Sequence, residues 1–418
     1  IEEWNGARKT ATLVIAADSV RKSALRFTLL SRRILDAFVP EGFPSSVTPD
    51  YAPFQIWDSL QGLSTYIRTM LSTQALLTAF GVGEKSATVI GATFQWFLRD
   101  LTGMLGGLVF TFYQGSNLDS NAKMWRLVAD LMNDIGMLTD LISPLFPSAF
   151  PFIVCFGSLS RSVSGVASGA TRAALTQHFA LQSNAADISA KEGSQETVAT
   201  VVGMALGMVL ARVTTGHPTA IWFCFLSLTF FHMYANYRAV ICLSLNTLNF
   251  ERSWILLSHY MESLPVISPK QVSDLEHVLP LWMTRSSSLH RRVSLGVRIC
   301  SLDEDDTMKM SSLVTSYYHE GKYLPIVGKK KIRVIMHRDS TAADVLQAYI
   351  HSLVLAKLEG VKYDDRSIHS ESRSWMQQNY SDFILKLQSS SWRTERLSAP
   401  SVAWKANWFS NTSADKDD

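Results

Sequence analysis

Charge is scarce over half of this chain. From Pro40 to Phe250 only 22 of 211 residues are Lys, Arg, Asp or Glu, against 42 of the 168 that follow. A body so poor in charge is what a bilayer tolerates, because each uncompensated charge in hydrocarbon costs roughly 2.5 to 3.5 kcal/mol on insertion scales. The chain therefore reads as two physically different bodies, the first embedded in a membrane. A soluble all-helical domain with its acids on one wet face is the alternative. Whole-chain figures conceal the contrast, since 47% hydrophobic residues, a mean hydropathy of +0.09 and a net charge of +3 would suit an ordinary soluble protein.

Other absences narrow the chemistry. The four cysteines, Cys155, Cys224, Cys242 and Cys300, show no CxxC spacing, so neither a disulfide framework nor a zinc site is expected. Basic residues are not gathered on one aromatic-rich face, which argues against nucleic acid as a partner. GVGEKSATVIG at 81 to 91 lacks the Gly and GK of a phosphate loop and reads as a turn before a helix. The acidic run Asp303 to Asp306 lacks the spacing of a calcium loop and reads as solvated surface. No Ser/His/Asp or Cys/His arrangement stands out, so the expectation is a non-enzyme with no catalytic residues, metal or cofactor.

The organisation follows from composition. Residues 1–39 carry seven Lys or Arg and four acids, a basic N-terminal segment that reads either as membrane-surface chain or as a simple solvated helix or strand pair. Residues 40–55 hold four prolines, which break helix, and read as a linker. Then come six helices, near 56–80, 86–114, 121–143, 150–182, 194–215 and 219–247. Only Val213 to Tyr237 is comfortably long enough to span a bilayer without charge. Linker helices are expected over 251–290, a small α+β domain over 291–400 and a disordered tail over 401–418. VSLGVRICSL and KIRVIMHRD read as strands, and a helix from Thr341 should bury Val345, Leu346, Tyr349, Ile350, Leu353 and Val354. The fold class is thus mainly α: a polytopic helical membrane domain over 56–250, followed by that α+β domain.

The membrane body resembles itself. Thr73, Ala75, Leu77 and Thr78 recur as Thr171, Ala173, Leu175 and Thr176, and Gln95, Gly103, Met104, Gly107 and Val109 as Gln195, Gly203, Met204, Gly207 and Val209. Trp125 matches Trp222. Two copies of three helices, 56–145 and 150–247, would run in opposite orientations, the inverted plan of many secondary transporters, with a site between them. Three GxxxG pairs, Gly103 with Gly107, Gly165 with Gly169 and Gly203 with Gly207, predict close helix packing.

The densest polar cluster runs from Thr171 to Thr197 and supplies the candidate substrate-binding residues Arg172, His178, Asn184, Asp187, Lys191, Glu192, Gln195 and Glu196. Ionisable groups within membrane segments are functional by default, although an exposed connection between two spans fits the same composition, and Gly193 could break the helix. Arg99 and Asp100 join the list. Adjacent residues do not face each other on a helix, so partners across helices are expected, with Asp134 or Arg172 as candidates.

EEWNG at 2–6, FVPEGFPSSVTPDY at 38–51, GATFQWFLRDLTGMLGG at 91–107, ATRAALTQHFALQSNAADISAKEGSQET at 170–197 and HMYANYRAV at 232–240 give the chain a resemblance to the root UVB sensitive family over nearly all its length. The resemblance implies a eukaryotic, membrane-associated protein with plant relatives linked to UV-B responses of seedlings, vitamin B6 homeostasis and plastids. It carries no catalytic residue across. The expected function is transport or sensing of a small polar metabolite, a B6 vitamer by that resemblance, with membrane lipid around the protein. The rival is a non-transporting scaffold acting through complexes with other members of the family.

Overall fold

The computed structural model describes residues 2–5, 8–16, 19–23, 36–80, 89–118, 120–262, 264–278, 292–328, 331–359, 365–399 and 402–408. It forms two compact units, one running to Leu243 and one from Ser244 onward, the latter taking in residues 119–121. The glycine-containing stretch at 81 to 88 lies outside the described residues, as does most of the expected disordered tail.

The first unit begins with an antiparallel meander of β1 (Glu2–Asn5), β2 (Arg8–Ala16) and β3 (Ser19–Ser23). Six helices follow: α1 (Tyr51–Ala79), α2 (Val89–Gln114), α3 (Ala122–Ile142), α4 (Phe150–Phe179), α5 (Ala185–Thr214) and α6 (Pro218–Cys242). α1 starts five residues earlier than 56 because Pro53 sits in its first turn, where a missing N–H costs no helical bond. α5 starts nine residues earlier than 194, and Gly193 neither breaks nor ends it. The polar side chains that made this stretch look like a connection are satisfied by the segment before α1 and by α1 and α4, so the backbone has no reason to leave the helix.

The packing order follows the three-plus-three division. α1 lies against α5 and α6, and α4 lies against α2 and α3, so the first helix of each half packs on the second and third helices of the other. Contacts fix the directions. Along α1, Gln55 meets Glu192 and Ile67 meets Gly207 of α5, a parallel pair. Gln61 meets His232 and Ser64 meets Leu228 of α6, an antiparallel pair. α2 and α4 run parallel, with Leu98 at Cys155 and Gly107 at Ser162, while α3 and α4 run antiparallel. The two three-helix halves are therefore inverted relative to each other.

Glycines explain two of these contacts. A Cβ on Gly203 would fall 2.7 Å from Tyr66 Cβ and 3.0 Å from the Leu63 carbonyl oxygen, and one on Gly207 would fall 2.9 Å from the Ile67 carbonyl oxygen. On α2, a Cβ on Gly103 would lie 2.5 Å from Ser158 Oγ of α4, and Gly107 packs on Ser162 and Val166. The third pair departs from expectation. Gly165 and Gly169 have nothing within 4 Å of an added Cβ, so they are not a helix-packing motif; they face open space.

The bundle's outer surface is apolar. Ile90, Phe94, Leu108 and Phe112 of α2, Phe152 of α4, Val201 and Val213 of α5 and Phe223 and Phe230 of α6 are all more than 60% exposed. In water each such side chain forgoes about 1.5 to 3 kcal/mol available from burial. The helices Pro147–Phe179, Ala185–Thr214 and Pro218–Cys242 are long and apolar enough to cross a membrane.

In the second unit, α7 (Phe250–Met261) and α8 (Pro269–Leu275) are not a linker, because Leu256, Leu257 and Val272 join its core. β5 (Val293–Leu295), β6 (Tyr323–Val327), β7 (Ile332–His337) and β9 (Lys405–Ala406) make a mixed sheet in which β6 is antiparallel to β7 and β5 and β9 are parallel to it. Lys405 and Ala406 thus belong to the sheet, not to a disordered tail. α9 (Glu304–Leu313) carries Asp306, buried against Arg333 rather than solvated as its acidic run implied. α10 (Ala342–Glu359) buries Leu346, Tyr349, Ile350, Leu353 and Val354 as its periodicity predicts, with Val345 packed against them. α11 (Asp365–Ser389) and β8 (Arg393–Leu397), which pairs parallel with β4 (Thr247–Leu248), complete the unit.

Candidate functional site

A cavity of about 330 Å³ opens between α1, α3, α4 and α5, helices drawn from both halves. Small-metabolite sites begin near this size. Its room comes from missing side chains: Gly62 of α1 and Gly165 and Gly169 of α4 leave their Cβ directions empty, with Ser164 and Ser168 between them. The helical spacing of these small residues places them on one face.

Its walls are ionic. On one side Arg126 of α3 binds Asp58 of α1 at 2.5 Å and approaches Asp130 at 3.8 Å. On the other, Arg172 of α4 binds Glu196 of α5 at 2.8 Å and reaches Glu192 at 3.5 Å. Gln55 donates to Glu192 at 2.8 Å, and the Tyr66 hydroxyl donates to Glu196 at 3.1 Å. Every pair crosses between helices except Arg126 with Asp130, so the charges tie the four helices together around the space.

Next to the cavity, Gln61 links to a fully buried network. Its side-chain nitrogen lies 3.0 Å from His232 Nε2, the other ring nitrogen lies 2.9 Å from Asp134, and Asp134 accepts from Arg68 at 2.7 Å. Arg68 also donates to Thr229, joining α1, α3 and α6. Arg68 and His232 are completely excluded from solvent.

Of the residues proposed from sequence, Arg172, Glu192, Gln195 and Glu196 line the cavity. Four others hold the chain that leads into α1 instead. His178 pairs with Asp50 at 2.9 Å, Asn184 donates to the Ser46 carbonyl, Asp187 accepts from the Glu41 amide at 2.8 Å, and Lys191 donates to the Asp36 carbonyl. Asp187 and Lys191 do pair, at 3.6 Å. Arg99 and Asp100 do not reach the cavity. Arg99 stacks over Trp96 and contacts Asp100 at 3.4 Å, so the expected partners across helices are wrong: Asp134 is taken by Arg68 and Arg172 by the two glutamates. A long guanidinium curls back to a neighbour that a short side chain could not reach. Sequence reasoning missed Asp58, Arg126, Asp130, Arg68 and His232. Asp134 and His232 lie 98 residues apart, and no local pattern in the sequence pairs them.

The second unit has its own buried polar chain. His351 lies 3.1 Å from the Tyr323 hydroxyl and 3.0 Å from Ser372 Oγ, which donates to the His369 carbonyl, while Tyr318 binds the His369 ring. Ser372 Oγ thus stands between the His369 carbonyl and the His351 ring, closed off from solvent. Burial, reinforced by His369 and Arg373, pushes the His351 ring down to about 3 and keeps it neutral.

Comparison with known proteins agrees with this two-part structure. The family model described as the vitamin B6 photo-protection and homoeostasis domain matches residues 26–264, and that of the root UVB sensitive protein C-terminal region matches residues 265–408. The chain is 64% identical to Protein root UVB sensitive 3 of Arabidopsis thaliana, over all of this chain and 97% of that one. It is 41% identical to RUS family member 1 of Dictyostelium discoideum, over 64% of this chain and 51% of that protein. It is 26% identical to Protein root UVB sensitive 2, chloroplastic, of Arabidopsis thaliana, over 87% and 82% respectively. No solved structure matches. By full-length similarity and by both domain models, this chain belongs to the root UVB sensitive family.

Proposed function

We propose that the chain is a membrane-embedded carrier or sensor of a small polar metabolite, not an enzyme, and that the cavity is its binding site. The observation that carries the reading is the cavity's position: charged walls contributed by both halves of an inverted three-plus-three bundle whose outer surface is apolar. Transporters built on inverted repeats place their sites between the repeats. A charged interior within an apolar exterior is stable in lipid when its charges offset one another, and here Arg126 binds Asp58 and faces Asp130 while Arg172 binds Glu196. The family domain's name supplies the candidate class, a vitamin B6 vitamer. The plastid label of one relative supplies the candidate compartment.

The test is thermal unfolding of the purified full-length protein in detergent against B6 vitamers, amino acids and phosphorylated metabolites. A ligand at a hundred times its dissociation constant stabilises by about 2.7 kcal/mol, and the effect should vanish in Arg172→Ala. Uptake of the same compound into proteoliposomes separates carrier from sensor. Stability that responds to an added relative of the family and to no small molecule would instead favour the scaffold.

A further inference from the structure

We propose that the cavity selects small organic cations, its occupant presenting a protonated amine to Asp130. This rests on the reading of the cavity as a ligand site. The lining carries four carboxylates, Asp58, Asp130, Glu192 and Glu196, against two guanidiniums, Arg126 and Arg172. Arg126 is spent on Asp58 and Arg172 on Glu196, and Glu192 is held by Gln55. Asp130 is held least tightly. Its side chain is nine-tenths buried, its Oδ2 accepts no hydrogen bond among the described residues, and its ion pair with Arg126 Nε is long, at 3.8 Å.

A second acceptor waits on the opposite wall. Gln195 donates from its side-chain nitrogen to the Phe38 carbonyl at 2.6 Å, while its buried Oε1 accepts no hydrogen bond among the described residues, with the Tyr51 hydroxyl beside the same side chain. A buried acceptor left without a donor is costly, so an occupant bearing N–H groups recovers what the empty walls forgo. Arg126 Nε also lacks an acceptor, which a water or hydroxyl between it and Asp130 completes. An anion would meet four carboxylates and two guanidiniums already engaged.

Charged thiol reagents read the cavity's preference directly, whatever its natural occupant. Gly165→Cys and, separately, Gly169→Cys place a thiol on the cavity wall where an added Cβ meets nothing within 4 Å. In the full-length protein, each variant is treated with a positively charged trimethylammonium-ethyl thiosulfonate and a negatively charged sulfonato-ethyl thiosulfonate. Rates are corrected for the parent chain's own cysteines and divided by those of a free thiol. A negatively lined cleft concentrates counter-ions by about tenfold or more, so the cation should react at least about tenfold faster, and Asp130→Asn, which keeps the side chain's shape, should collapse the ratio. Equal rates, or a faster anion, overturn cation selection while leaving an accessible ligand cavity. A ratio unmoved by Asp130→Asn overturns the role of Asp130. Failure of both reagents to reach either cysteine overturns the cavity reading itself.

Discussion

Asp134 and His232 stand 98 residues apart, at the spacing of the internal repeat, and meet at 2.9 Å where α3 and α6 cross. The contact ties the third helix of one half to the third helix of the other. Arg68 of the first helix adds a buried positive charge to it.

Removing Asp134 leaves Arg68 with only neutral partners, the Thr229 hydroxyl and the Ser64 carbonyl, and no counter-ion in a region closed to water. Asp134→Ala should cost about 3 to 5 kcal/mol, whereas Arg68→Met combined with Asp134→Leu should cost much less, since buried pairs gain little over well-packed apolar groups. Unfolding in detergent measures both. A loss below about 1 kcal/mol for Asp134→Ala would show that the pair is not buried as described.

The glycines should behave oppositely. Gly207→Ala forces a methyl against the Ile67 carbonyl oxygen and Met70 and should destabilise by about 1 to 3 kcal/mol. Gly165→Ala meets nothing and should be neutral or stabilising by up to about 1 kcal/mol from helix propensity, while reducing ligand binding. Thermal unfolding of the two variants side by side decides this, and equal losses would contradict the packing.

Acid should weaken the second unit through His351. Its ring is neutral when folded, with a pKa near 3 against the ordinary 6.5, so the unfolded chain binds a proton that the folded one refuses. Stability from this group is complete above pH 6.5 and falls as pH drops toward 3, by roughly 5 kcal/mol in total. Hydrogen exchange of the α10 amides in the full-length protein between pH 7 and 4 should quicken beyond its intrinsic pH dependence. His351→Phe should remove that excess; if the excess persists, another group is responsible.

Inverted halves fix topology. Gly115→Cys, after α2, and Thr215→Cys, after α5, should label from opposite sides of sealed vesicles with an impermeant reagent. Labelling of both from one side would refute six alternating crossings.

Much was legible in the sequence because it depends on composition and period. Sparse charge marked the helical body, the offset of about 98 residues marked its duplication, and the 3.6-residue stripe from Leu346 to Val354 marked a core helix. Those signals are local or repeat along the chain. Which charges meet is a different kind of fact. Asp187 and Lys191 looked like a site because they are polar and close in sequence, yet they brace the segment before α1. Asp58 and Arg126 looked incidental, yet helix packing sets both on the wall of one space, with the Arg68–Asp134 pair next to it. The GxxxG spacing was the same for Gly203 and Gly165, and only the presence of α1 against one and of empty space against the other made the first a contact and the second a cavity wall. The sequence determined where helices form, since backbone propensity and burial act along the chain. The tertiary structure alone decided the partners, since a charge pairs with whatever packing places within about 4 Å of it, however far away it lies in sequence.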